Sequence, residues 1–234
     1  MPLLPLPRTV RRGLSGLCLL LIASGSAPWA LAGTQSANDG FNPNVAGVVD
    51  SLAVQADGKI VIGGGFTALQ PNSLANPVTR FNIARVNTDG SVDTSFDPEA
   101  NGPVLAVAVQ SNGKILIGGS FTTLQPNGAG NPVAVPYLTR INSDGSLDRT
   151  FNPTPGGAYG GKVTAITLQS NGQILVGGYF TTMQPNGAAS ANSVPYLARL
   201  NSDGSVDTTF KPTPNAPTRM LNFVMSIPAA AAAM

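Results

Sequence analysis

"VLAVAVQSNGKILIGGSFTTLQPN", residues 104–127, decides the fold. Two β-rich runs flank Asn112-Gly113, and such residues tolerate the positive φ of the tight primed turns that close hairpins. Read as a plain strand, the first run puts Val104, Ala106 and Ala108 on one face and Leu105, Val107 and Val109 on the other. Both faces are apolar, which predicts a strand packed between neighbours on either side. The second run ends on Gly118-Gly119, where the lack of side chains allows another backbone to come close.

The stretch recurs. "SLAVQADGKIVIGGGFTALQPN" starts at Ser51 and "AITLQSNGQILVGGYFTTMQPN" at Ala165. A second block follows each copy: "NTDGSVDTSFDP" from Asn87, "NSDGSLDRTFNP" from Asn142 and "NSDGSVDTTFKP" from Asn201. Ile60, Ile115 and Ile174 mark one register, 55 and 59 residues apart, and the excess falls in the Gly-rich "TPGGAYGGK". Each unit adds a third run such as "YLTRIN" from Tyr137 and, past an Asp-Gly turn, a short fourth run such as "SLDRTF". Four antiparallel runs at this period predict an all-β, β-propeller-like fold of about three four-stranded blades, because solenoid coils are usually shorter. The expected divisions are a partial repeat at 33–46, blades at 47–103, 104–158 and 159–217, and an aberrant tail at 218–234.

The combination "LxVQxxGKIxIGGxFT" followed by "LxRxNxDGSxDxxFxP" resembles the delta-60 repeat of secreted and surface-associated bacterial proteins, over about Phe41 to Pro212. The resemblance implies a propeller architecture and an extracytoplasmic setting. It brings no general activity with it.

The chain opens with Arg8, Arg11 and Arg12 before an apolar run that closes on Ala30-Leu31-Ala32. This is the pattern of a secretory signal peptide, residues 1–32, cleaved before Gly33. Gly16, Gly25 and Pro28 break the run short of the roughly 18 apolar residues a membrane span needs. Cleavage would remove Cys18, the single cysteine, so neither disulfides nor thiol chemistry are expected of the mature chain. It would also remove three of 13 basic side chains and leave 11 acidic ones, a near-neutral balance without the clustered positive charge that nucleic acid demands. With no histidine anywhere, imidazole-based triads and the usual zinc sites are excluded. The acids recur with the repeat instead of forming one asymmetric pair, so no catalytic residue and no enzyme activity is expected.

Three sets of residues stand out. Asp89, Asp93, Asp144, Asp148, Asp203 and Asp207 place oxygen ligands around a glycine bend, which points to calcium, yet the first, third and fifth acids and the terminal glutamate of a calcium loop are missing. The better reading pairs Asp93, Asp148 and Asp207 with Arg85, Arg140 and Arg199, each eight residues earlier, across one hairpin. Phe96, Phe151 and Phe210 then plug the core. Phe81, Tyr137 and Tyr196, at the ends of the long variable loops, are the candidate ligand contacts.

The expected function is a secreted or cell-surface, non-enzymatic binding or structural module whose partner is a protein or glycan at the cell surface. No cofactor is expected. The alternatives are a calcium-stabilised carbohydrate-binding module and a fragment of a larger surface adhesin or hydrolase. Three blades fall short of the about 4 to 8 that close a ring. The incomplete count predicts either truncation or frameshift after about Thr218, the favoured reading, or self-association through open blade edges.

Overall fold

The computed structural model describes residues 40–71, 76–212 and 214; the expected signal peptide and the tail from 218 lie outside them. In the first unit β1 (Val45–Val54) pairs antiparallel with β2 (Ile60–Leu69), which also pairs with β3 (Val78–Thr79) and β4 (Ile83–Val86). The second unit has β5 (Val104–Val109), β6 (Ile115–Gly119), β7 (Thr123–Leu124), β8 (Val133–Ala134) and β9 (Leu138–Ile141), with a main sheet ordered β5-β6-β9. After β10 (Pro153–Gly156), the third unit has β11 (Val163–Leu168), β12 (Ile174–Gly178), β13 (Thr182–Pro185), β14 (Asn192–Ser193) and β15 (Leu197–Leu200), ordered β11-β12-β15. The register repeats: Ile60, Ile115 and Ile174 lie opposite Val86, Ile141 and Leu200.

The molecule is all-β and propeller-like, with three differences of detail from the sequence reading. The fourth run of each unit is a single bridge, at Val92, Leu147 and Val206. It stops there because Asp93, Asp148 and Asp207 turn their carboxylates onto the main-chain N–H two residues on, bending the chain out of the ladder. The hairpin turns have three-residue loops: Gln110 N and O bond Lys114 O and Gly113 N, and Gly113 takes φ 80°. Asn112 is not at positive φ, so the closure is a turn followed by a left-handed glycine rather than a primed two-residue turn.

The third difference concerns the first strand. A bulge recurs between Val49 and Ser51, Val104 and Ala106, and Val163 and Ala165. The extra residue switches the alternation, so Val104 and Val107 share one face instead of lying on opposite ones. Both touch the place where Gly63 of the preceding unit would carry a Cβ.

Successive sheets pack face to face. One core cluster joins Val61, Ile83 and Phe96 of the first unit to Val104, Val107 and Ile117 of the second. Another joins Leu116, Leu138 and Phe151 to Val163, Ile174 and Val176 of the third. The paired glycines divide the work: Gly118 leaves room for the Val163 side chain of the next unit, and Gly119 for the Pro103 carbonyl of its own sheet. After Phe96-Asp97-Pro98 and Phe151-Asn152-Pro153 the chain bonds to the following unit before entering its first strand, as β10 does with β13. Residues 98–103 and 153–158, which the repeat period puts in the earlier unit, therefore begin by pairing with the later one.

Candidate functional site

The arginines, aspartates and phenylalanines form one assembly per unit. Arg140 Nε donates to Asp148 Oδ2 at 2.7 Å and Lys114 Nζ donates to the same oxygen at 2.7 Å. Asp148 Oδ1 accepts from the Thr150 N–H and hydroxyl. The guanidinium lies over the Phe151 ring, 4.5 Å from its centre. Asp93 has the same partners in Arg85, Lys59 and Ser95, over Phe96. In the third unit Gln173 stands where the lysines stand, and Arg199 pairs with Asp207 over Phe210. Burial pushes the Asp93 and Asp148 carboxyls up, but the lysine and hydroxyl hydrogen bonds and the arginine charge outweigh it and hold both well below the usual carboxylate range.

The other three aspartates are turn residues. Asp89, Asp144 and Asp203 each accept from the N–H and hydroxyl of the serine two residues on, which holds their carboxyls low. Each of the six aspartates considered for calcium therefore spends an oxygen on its own chain. Among the described residues no group of three or more His, Cys, Asp or Glu side chains is placed to hold a metal ion.

The aromatic candidates divide differently from the sequence grouping. Tyr137 and Tyr196 take left-handed backbone, φ 68° and 61°, and their counterpart in the first unit is Asn82 at φ 65°, not Phe81. Phe81 precedes that position and aligns with Pro136 and Pro195. Asparagine tolerates this conformation; a tyrosine there is strained by an amount of order 1–3 kcal/mol. Main-chain bonds hold it, with Tyr196 N donating to Phe180 O and Tyr196 O accepting from Gly178 N.

Around these two residues folds the loop that carries the four-residue excess. Gly161 packs so closely on the Tyr137 ring that a Cβ there would lie 2.3 Å from Cδ2. Tyr159, 64% exposed, places its ring centre 6.3 Å from that of Tyr196 at a tilt of 35°. Partial desolvation, then the charge and hydrogen bond of Tyr159, raise the Tyr196 hydroxyl above its ordinary pKa of 10.0. Lys162 Nζ stands 5.9 Å from the centre of the Tyr179 ring. All four tyrosines of the chain thus gather at one loop. Tyr159 and Tyr179 escaped the sequence reading, although the length excess in "TPGGAYGGK" marked the loop that brings them in.

A family model described as a domain of unknown function (DUF5122), beta-propeller, matches residues 55–96, 110–151 and 169–210, more than half of the chain. Each match runs from the glutamine before the first hairpin turn to the core phenylalanine. No curated protein matches the chain. Among solved structures 22 chains match. One, a protein of unknown function from Bacteroides caccae, is 13% identical with a TM-score of 0.25, and the match covers 68% of this chain and 65% of that one. The chain spans about 65% of that relative's length.

Proposed function

The chain belongs to the DUF5122 beta-propeller family, and from that premise we propose that it is a non-enzymatic binding module of the delta-60 kind, working outside the cytoplasm. The observation that carries the reading is the tyrosine cluster. Two tyrosines are kept at backbone positions that disfavour them, and an inserted glycine-rich loop adds an exposed third ring beside one of them. Rigid rings with a polar tip supply large contact area at low entropic cost, which is why tyrosine dominates recognition surfaces. Among the described residues Lys162 is the cation seen at the cluster, and no carboxylate is seen there, so the ligand that suits the rings is a neutral glycan of the cell surface. The six aspartates have no role in this reading: Asp93, Asp148 and Asp207 are held in ion pairs, and Asp89, Asp144 and Asp203 each use Oδ1 in a turn. Export rests on the Arg-rich, apolar, Ala-Leu-Ala pattern of residues 1–32. Among the described residues no helix is long and apolar enough to cross a membrane.

The test is binding of the protein to immobilised neutral polysaccharides and to cell-envelope preparations. Tyr159→Ala with Tyr196→Ala is expected to weaken binding at least about tenfold, roughly 1.4 kcal/mol. Binding that survives the double substitution removes the cluster from the site. Export is tested by fusing residues 1–33 to a reporter enzyme active only after translocation; a silent fusion would return the protein to the cytoplasm.

A further inference from the structure

Each internal contact between units uses the same two half-surfaces. On the leading side lie a glycine of the second strand, the arginine and the phenylalanine: Gly63, Arg85 and Phe96, then Gly118, Arg140 and Phe151. On the trailing side lie the first strand and the Asp-Gly turn of the next unit. Val104 fits over Gly63 and Val163 over Gly118. Arg85 donates to the Ser143 carbonyl, and Arg140 to that of Ser202.

The described residues cover the two outermost copies of these surfaces only in part. Val49, Leu52 and Val54 of the first unit are 41%, 45% and 62% exposed, whereas Val104 and Val163, which match Val49, are fully buried. At the other end Leu175, Leu197 and Phe210 are half-buried, although their counterparts in both earlier units are fully buried. Beside Phe210 a cleft of about 310 Å³ opens, lined by Val194, Pro195, Asp207 and Pro212 among others. Among the described residues no turn carbonyl meets Arg199 as Ser143 meets Arg85 and Ser202 meets Arg140.

We propose that the trailing face of the first unit binds the leading face of the third unit of a second copy of this chain. The occupant follows from the chain itself, because this pairing of surfaces already occurs twice within it. Val49 would take the place over Gly177 that Val104 takes over Gly63, and the Thr88 carbonyl would receive Arg199 as the Ser143 carbonyl receives Arg85. The contact is heterologous and head to tail. Two copies supply six units, within the about 4 to 8 that close a propeller. The contact joins sheet faces, not the strand edges expected from the sequence.

One feature opposes entry. Phe41 and Asn42 lie against Gly90, in the seat that Phe96 fills at Gly145 and Phe151 at Gly204. The Phe210 ring of an incoming copy needs that seat. Entry of that ring requires Phe41, 38% exposed where the other two are fully buried, to leave the seat.

The test uses the full chain with Cys18→Ser throughout. Val49→Cys with Gly177→Cys should form an intermolecular disulfide on mild oxidation, and Gly63→Cys with Val104→Cys, the internal equivalent, should close within one chain. The built Gly63 Cβ lies 2.6 Å from Val104 Cγ1, so the pair is within disulfide reach. Light scattering of the unsubstituted protein should give twice the chain mass. Leu52→Asp, on the exposed face, should halve that mass with an unchanged circular dichroism spectrum, and Phe41→Ala should raise the dimer fraction. A monomer at all concentrations, or closure of the internal cysteine pair without cross-linking of the terminal one, overturns the proposal. So does a dimer indifferent to Leu52→Asp. None of these readouts involves glycan binding, so the two proposals fail separately.

Discussion

Arg140 Nη1 donates to the main-chain carbonyl of Ser202 at 2.7 Å, so a side chain of the second unit holds the turn of the third. The same guanidinium uses Nε on Asp148 and its face on Phe151. One residue thereby fixes the short fourth run to its own sheet and that sheet to the next. A planar fork with donors on separate nitrogens can do this; a lysine, with one point charge, cannot.

Removing this joint should cost most where it is buried and has a following turn to hold. Arg140→Met leaves Asp148 buried with Lys114 as its only cation, and an expected loss of about 3 kcal/mol follows, the low end for a broken buried pair. Arg199→Met should lose clearly less, because Arg199 is 24% exposed and bonds no following turn among the described residues. Urea midpoints at constant slope compare the two. Equal losses would mean that the bond between units adds nothing.

Acid should weaken the fold below the ordinary carboxylate range. Asp93 and Asp148 have folded pKa values depressed below the unfolded value of about 3.9, so their contribution is complete above that pH and is lost as pH falls toward the folded values. Asp97 works in the opposite sense: burial raises its carboxyl, and the Arg80 charge offsets this only in part. Urea unfolding at neutral pH and in steps below pH 4 should show a fall in stability that Asp148→Asn makes smaller. A variant as acid-sensitive as the parent would place the titration elsewhere.

The two glycines of each pair should respond differently to alanine. At Gly118 the new methyl meets the Val163 side chain at 2.5 Å, which gives an overpacking cost of about 1–3 kcal/mol. Val163→Ala in the same chain should relieve it. At Gly119 the methyl meets the Pro103 carbonyl oxygen at 2.1 Å, and no side-chain substitution can relieve a main-chain clash. Thermal unfolding of the three variants should rank Gly119→Ala as the least stable. If Gly118→Ala is as damaging with Val163→Ala as without it, the facing of units given above is wrong.

Removal of one hydroxyl should move another. Tyr159→Phe takes away both the charge and the hydrogen bond that help raise Tyr196, so the Tyr196 titration should shift back toward pH 10. Nuclear magnetic resonance of ring-labelled tyrosine reads each titration separately. An unmoved Tyr196 would separate the two rings in solution.

The repeat, the hairpins and the eight-residue Arg-to-Asp spacing were legible in the sequence because each is local. Turn chemistry, alternation and cross-hairpin distance all act within about one strand length, and a short window contains them. The bulges were not legible: Leu105 reads as an ordinary member of an alternating run, and only its neighbour across the ladder leaves it unpaired. Asn82 was legible as the counterpart of Tyr137, since it follows Ile60 by the same 22 residues that separate Tyr137 from Ile115 and Tyr196 from Ile174; grouping by aromatic type put Phe81 in its place. Tyr159 meets Tyr196 across a sequence separation of 37, which no local pattern encodes. The tertiary structure alone decided which unit each arginine reaches. A repeated sequence offers the same surfaces in every copy, so composition and spacing cannot choose among them; the packing of one sheet on the next does.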